Sequence, residues 1–371
     1  LTTTGTSPWL SKPLDVGRRG LAIRACPRDE DDAAALLSFV ASLDGVVSVA
    51  RRGPRRAHNY NARWMVQSND AATKATPLYD MGLTGAGVVV NVIDDGLDVF
   101  SCFFHDENQP ISEASLHEEQ WNIDWPEFGW DDSTIIPVPA YTSSSHRKIR
   151  WAAWPWSAVG GELGEYEWQY NVGAHGTHVA GSVCGVREDG LTVRVGAISD
   201  YSANGLAPNA KLAFIDVSPL AWESQGVVLI PPGFDDVLLQ RAYDVGARLS
   251  SNSWGRNSSE YDATAAEIDD FAFEHQDFLV LFAAGNAGPE PATLGQEVHA
   301  KNSLAVGATE TPATEGLDYR RLSSSLSSPD LAWYSSRGPT SDNRIKPDVV
   351  APGGGCPNSR LWSAGASLAS P

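Results

Sequence analysis

The sequence predicts an α/β fold on a mostly parallel central sheet, and three observations predict it. Val88 to Ile93 is a near-continuous β-branched run, the pattern of a strand buried on both faces. Runs of the same kind return in AKLAFIDV (210–217), FLVLFAAGN (278–286) and NSLAVGA (302–308). Between them lie segments of helical spacing, FDDVLLQRAYDVGA (234–247) and ATAAEIDDFAFEH (263–275). Strands that alternate with helices are joined by crossovers, and crossovers give parallel pairing. In such folds ligands and chemistry gather at the carboxyl ends of the strands.

The segments ahead of the first strand read differently. Residues 1–20 are Thr, Ser, Pro and Gly without periodicity, a tail. In DEDDAAALLSFVASLDGVVSVARR the acidic head favours a helix N-terminus, and Leu36, Leu37, Val40 and Leu43 follow at helical spacing. Gly45 ends that helix, and Val46, Val47 and Val49 suggest a strand. RRGPRR (51–56) is a basic, proline-broken linker open to proteases. Residues 1–60 are therefore expected to hold a tail and a small α+β unit, and 61–371 the main domain. Within it, residues 106–170 interrupt the alternation. Seven of the thirteen tryptophans fall there, from Trp121 to Trp168, either as a binding surface or as a tryptophan-packed inserted subdomain.

Composition excludes several classes. The chain has 371 residues, 42% of them hydrophobic, enough for one large core or a core plus a small domain. A net charge of −19 argues against nucleic acid or an anionic membrane as partner. No apolar run approaches the roughly 20 residues that cross a bilayer. Leu1 is not an initiator methionine and no leader follows it, so the sequence reads as a fragment or a processed form. The four cysteines (Cys26, Cys102, Cys184, Cys356) lack CxxC pairs. Isolated buried thiols are the plain reading; a disulfide between Cys102 and Cys184, both placed near the cleft, is the alternative. Asn257-Ser258-Ser259 is a glycosylation sequon and suits a secreted protein.

Four local motifs carry chemistry. Asp94 ends the first strand in VIDDG, where an aspartate is either a cap or a catalytic carboxylate. His175 opens the helical stretch HGTHVAGSVCG; a metal pair with His178 is the competing reading, but no third ligand accompanies it. Asn286 follows the strand 278–284 in AAGN, where its amide can donate to a developing oxyanion. Ser367 lies among small residues in GASLASP, which lets a substrate carbonyl approach its N–H. Asp, His and Ser in that order match one known arrangement of the catalytic triad.

VIDDG, HGTHVAGS, AAGN and GASLASP together resemble the motif set of the subtilisin-like (subtilase) serine proteases over roughly residues 61–371. SNSWG (251–255), YSSRGPT (334–340) and RIKPDVVAPG (344–353) are similar to the branch of oxidation-resistant alkaline subtilisins and their protist relatives. DDG and SWG also resemble kexin-like convertases. The resemblance implies a three-layer subtilisin-like fold and a serine endopeptidase. Ser367 would be the nucleophile, His175 the base, Asp94 its orienting carboxylate and Asn286 the oxyanion donor. It further implies that Ser253, Trp254 and Gly255 pair with the substrate backbone, and that Ala283, Ala284 and Gly285 wall the primary specificity pocket. Its partners would be protein or peptide substrates and the chain's own propeptide, with residues 21–60 in that position and pattern. It also implies passage through the secretory pathway and structural calcium, for which no EF-hand spacing or ligand set is visible.

Two positions depart from the family pattern. Ala366 replaces the usual threonine and removes a hydroxyl near the oxyanion. Leu368 replaces the usual methionine and implies tolerance of peroxide. In the family the serine begins a long helix, yet only four residues follow it here. The expectation is that the chain ending at Pro371 is a poor protease, since even helices of about 12–15 residues are marginal alone. A non-catalytic binding scaffold is the rival class, and all four catalytic positions stand against it. Cleavage specificity stays open: Trp254 and the small walls favour a bulky apolar side chain, Asp95 a basic one.

Overall fold

A computed structural model describes residues 14–15, 21–22, 38, 59–123, 134–155, 174–186, 204–218, 228–256, 258–310 and 331–354. Eleven strands are present among the described residues: β1 (Leu14–Asp15), β2 (Leu21–Ala22), β3 (Val89–Asp94), β4 (His117–Asn122), β5 (Ile135–Thr142), β6 (Ile149–Ala153), β7 (Lys211–Asp216), β8 (Ala247–Asn252), β9 (Leu279–Ala283), β10 (Leu304–Glu310) and β11 (Val349–Gly354). The first two form a small antiparallel pair. The other nine make one sheet in the order β11-β10-β9-β8-β3-β7-β6-β5-β4. All pairs from β11 to β6 are parallel, and β5 and β4 add an antiparallel margin.

Both faces of the sheet are covered. On one face lie α2 (Ala174–Cys184) and, beneath it, Val90, Val92, Leu212 and Phe214. On the other lie Ile93, Ala213 and Ile215, packed with α3 (Ala263–Glu274) and the π-helical turn Phe234–Leu239 that continues as helix Gln240–Asp244. Consecutive residues of β3 and β7 thus feed opposite cores, the reason both strands read as unbroken apolar runs. Asp262 starts α3 by accepting the Ala265 N–H at 3.0 Å, and Ala265, Ile268 and Phe271 form its buried stripe. Helix α1 (Asn59–Gln67) precedes the sheet. No helix among the described residues is long and apolar enough to cross a membrane.

The strands and helices predicted between residues 88 and 308 form within a few residues of their expected limits. The described part of 106–170 is not a separate body: β4, β5 and β6 extend the same sheet. Its tryptophans supply core rather than surface. Trp121 and Trp151 stack at 6.4 Å in one core, and Trp154 fills the other. Strand β8 was not expected, because ARLSSN lacks the apolar run. Two of its buried polar side chains bond across strands: Asn91 Nδ2 donates to Ser250 Oγ at 3.0 Å, and Asn252 Nδ2 to the Leu281 carbonyl at 3.1 Å, while Ser251 Oγ and Asn252 Oδ1 are buried without a partner among the described residues. Cys102 and Cys184 are not joined as a disulfide, which corrects that alternative. Cys184 ends α2 wholly buried among apolar side chains, whereas Cys102 lies in the loop after β3. Apart from Ser38, the helix and strand predicted over 29–50 lie outside the described residues, as do Asn257 and Ser367.

Candidate active site

Register brings three predicted positions to one edge. Ile93 of β3 pairs with Asn252 of β8, and Asn252 pairs with Phe282 of β9. The next residue of each strand, Asp94, Ser253 and Ala283, therefore leaves the carboxyl edge beside its neighbour, about 5 Å apart per strand. Asp94 is 1% exposed. His175, in the first turn of α2, sets Nδ1 2.5 Å from Asp94 Oδ1 and keeps its side chain 22% exposed. With Nδ1–H donated to the carboxylate, Nε2 is the nitrogen able to exchange a proton with a substrate-side group. The same Asp94 oxygen accepts the Asp95 N–H at 2.8 Å.

The turn after β3 is clamped from several sides. Asp95 Oδ1 accepts the Gly176 N–H at 2.6 Å, and Thr177 Oγ1 accepts the Asp98 N–H at 2.8 Å. A Cβ on Gly176 would lie 1.9 Å from the Asp95 carbonyl oxygen, so only glycine fits there. Gly96 N–H is held by Asp216 Oδ1 at 3.2 Å from the neighbouring β7. Burial first, and Asp94 next, push the Asp95 carboxyl up to about 6.

Trp254 has a structural task that its motif did not reveal. Its indole packs edge-on against Phe234 (5.6 Å) and Phe282 (5.1 Å), and Nε1–H donates to the Ile93 carbonyl at 2.9 Å. The side chain braces the strand that carries Asp94. The backbone of Ser253–Gly255 enters none of the loop hydrogen bonds among the described residues.

Asn286 is exposed just past β9, while Ala284 is buried beneath it. Its turn is held by a segment whose role the sequence did not disclose, Tyr334–Arg337. Ser336 Oγ accepts the Ala287 N–H at 3.0 Å, Ser336 N–H reaches the Gly285 carbonyl at 3.0 Å, and Gly288 N–H reaches the Tyr334 carbonyl at 2.9 Å. Gly285 at φ 111° and a 2.7 Å approach of Ser336 Oγ to a Cβ there exclude any side chain. Glu297, also unforeseen, is buried with Oε2 accepting the Arg256 N–H at 3.2 Å, against Gly255; burial pushes it up to about 7.

Metals fit poorly. Asp94, Asp95 and His175 are the one cluster of three possible ligands found among the described residues. Calcium takes six to eight oxygen ligands, whereas this trio includes an imidazole and its Oδ1 atoms already accept N–H groups. Three carbonyls that converge elsewhere, those of Cys102, His105 and Val186, are taken by the Arg147 guanidinium.

Comparison with known proteins follows the same lines. The subtilase family model matches residues 85–370. The chain is 31% identical over 339 residues to the serine protease/ABC transporter B family protein tagD of Dictyostelium discoideum, covering 74% of this chain and 16% of that protein. It is 30% identical over 190 residues to the serine protease AprX of Bacillus subtilis, covering 50% of this chain and 38% of that one. The chain thus spans less than a fifth of the first relative's length. Among solved structures, the CspB protease of Clostridium perfringens aligns with a TM-score of 0.49 at 13% identity, covering 79% of this chain and 82% of that one.

Proposed function

The chain belongs to the subtilase family of serine peptidases, and we propose that it hydrolyses peptide bonds through Asp94, His175 and Ser367. The observation that carries this reading is the 2.5 Å contact between His175 Nδ1 and Asp94 Oδ1 at the carboxyl edge of a parallel sheet. Ser367 attacks the scissile carbonyl and His175 Nε2 takes its proton. The tetrahedral oxyanion is held by the Asn286 amide and the Ser367 N–H. The intermediate collapses to an acyl-enzyme as His175 protonates the leaving amine, and water repeats the sequence. Asp94 keeps the imidazole in one tautomer and stabilises its cation; its burial makes that interaction strong.

The substrate is a protein or peptide in extended form, paired along Ser253–Gly255 with its specificity side chain between that segment and Ala283–Gly285. Small walls favour an apolar side chain. The kexin-like alternative of a basic one would use Asp95, whose Oδ1 already holds Gly176 N–H. Residues 21–60 act as an inhibitory propeptide ahead of a catalytic domain over 61–371, in a protein of the secretory pathway. Structural calcium, as the family implies, would be held outside the cluster described above. A fluorophosphonate probe tests the reading: it should label Ser367, and Ser367→Ala should abolish both labelling and peptide hydrolysis. An unlabelled chain, or equal labelling of the variant, would leave a binding scaffold as the better account.

A further inference from the structure

We infer that Asp95 is a positioning residue for peptide hydrolysis: its carboxylate locks the first turn of α2 to the end of β3 and so sets where His175 stands against Asp94. The inference rests on the Asp94–His175 reading above and adds a member that never touches the reacting atoms.

The last residue of β3 and the one after it grip two consecutive residues of α2. Asp94 holds the His175 ring, and Asp95 holds the Gly176 N–H at 2.6 Å. A single contact to an imidazole leaves the ring and its helix able to pivot; a second bond one residue on, to the backbone, removes that freedom. The first N–H groups of a helix have no partner within it, and the helix dipole makes that end attractive to a carboxylate. Asp95 meets both needs. The closeness of the approach is forced by Gly176, where a Cβ would come 1.9 Å from the Asp95 carbonyl oxygen, and Thr177 adds a strut to Asp98 at 2.8 Å.

This geometry argues against Asp95 as a carboxylate that reaches out to a basic substrate side chain, because it is buried and one oxygen is committed to the helix. The groups that face it are Asp94 beside it and His175 on α2; Asp98 and Asp216 stand further along the same turn and on β7. An ionised Asp95 also favours the imidazolium of His175, so its charge bears on the acid limb of the activity profile.

The test uses the full chain, with kcat expressed per site titrated by the fluorophosphonate and amide exchange followed over residues 174–180. Asp95→Ala should lower kcat by about 10- to 100-fold, the range expected for a misplacement near 1 Å, with KM within about twofold. Exchange at Gly176 should accelerate. Asp95→Asn keeps an oxygen for that N–H and should recover kcat to within about threefold, with its acid limb moved to lower pH. Unchanged kcat per site and unchanged exchange in Asp95→Ala would overturn the inference. So would an Asp95→Asn variant that raises KM for basic peptides at constant kcat, the signature of a specificity residue. Exchange is read without hydrolysis, so an inactive parent chain would sink the proposed function yet still decide the lock.

Discussion

The two ends of the parallel sheet both bury ionisable groups, and they use them in opposite ways. At the carboxyl end, Asp94, Asp95 and His175 form a cluster in which the imidazole stays partly open to solvent. At the amino end of β6 and β7, His146, Arg147, Lys148 and Lys211 are spent on backbone. Lys148 Nζ donates to the carbonyls of Pro208 (2.9 Å) and Ala210 (2.7 Å), and Lys211 Nζ to that of His146. His146 Nδ1 accepts the N–H groups of Lys148 (3.1 Å) and Ile149 (2.9 Å). Burial pulls His146 down to about 4 and Lys148 down to about 8, shifts as large as that of Asp95. Perturbed titration alone therefore does not mark the working end. What marks it is a buried carboxylate paired with a partly exposed imidazole, Asp94 with His175, beside an exposed Asn286.

The sharpest way to break this contrast is at the carboxyl end. Asp94→Asn keeps the shape of the cluster but lets His175 take the wrong tautomer. It should lower kcat/KM by about 10⁴-fold with little change in melting temperature. Steady-state kinetics with thermal melts decide it; a loss under tenfold would mean that Asp94 is only a structural cap.

The amino end should answer in the opposite currency, stability rather than rate. Arg147→Ala removes the guanidinium bonds to His105, Val186 (2.7 Å) and Cys102 (3.0 Å), which tie the loop after β3 to the end of α2. Hydrogen bonds to charged groups contribute about 1.5–3 kcal/mol each, and Arg147 is partly solvated, so the total loss should be about 2–4 kcal/mol. Denaturant melts should register it while kcat per titrated site stays near the parent value. A fall in kcat without a fall in stability would erase the division between the two ends.

How much of this was legible follows from the same division. The central strands β3, β7, β9 and β10 were readable because residues that face two cores must be apolar in sequence. Asp94, His175 and Asn286 were readable because strand ends and a helix start frame them. Strand β8 hid because its buried Ser250 accepts hydrogen bonds from Asn252 and Asn91 inside the sheet, which no periodicity announces. The margin β4–β6 hid because the tryptophans of this region look like a surface motif, yet Trp121 and Trp151 pack in one core and Trp154 in the other. Ser336 and Glu297 act on the site from distant segments, and only the fold brings those segments near Gly285 and Gly255. Asp95 was visible as a residue but not as a bond, since its partner lies 81 positions away.

The smallest expected effect tests whether the amino end is truly a buried-charge device. Lys148 is depressed from its ordinary 10.5 to about 8, chiefly by burial. A group whose folded value is depressed adds stability above its unfolded value and loses it as pH falls through the folded one. For Lys148 the cost of the buried ammonium is thus fully present below about pH 8 and fades between there and 10.5. Cys184, pushed up by burial, titrates in the alkaline range with the opposite sign, since a raised folded value loses stability as pH climbs. Because Lys148 and Cys184 influence one another, the parent and Lys148→Met are compared in a Cys184→Ala background, which removes the thiol from both. Stability of the parent relative to the variant should therefore rise when urea melts are moved from pH 7.5 to pH 10. A difference that stays flat would mean that the ammonium is solvated, and that the two ends of the sheet do not differ in the way proposed.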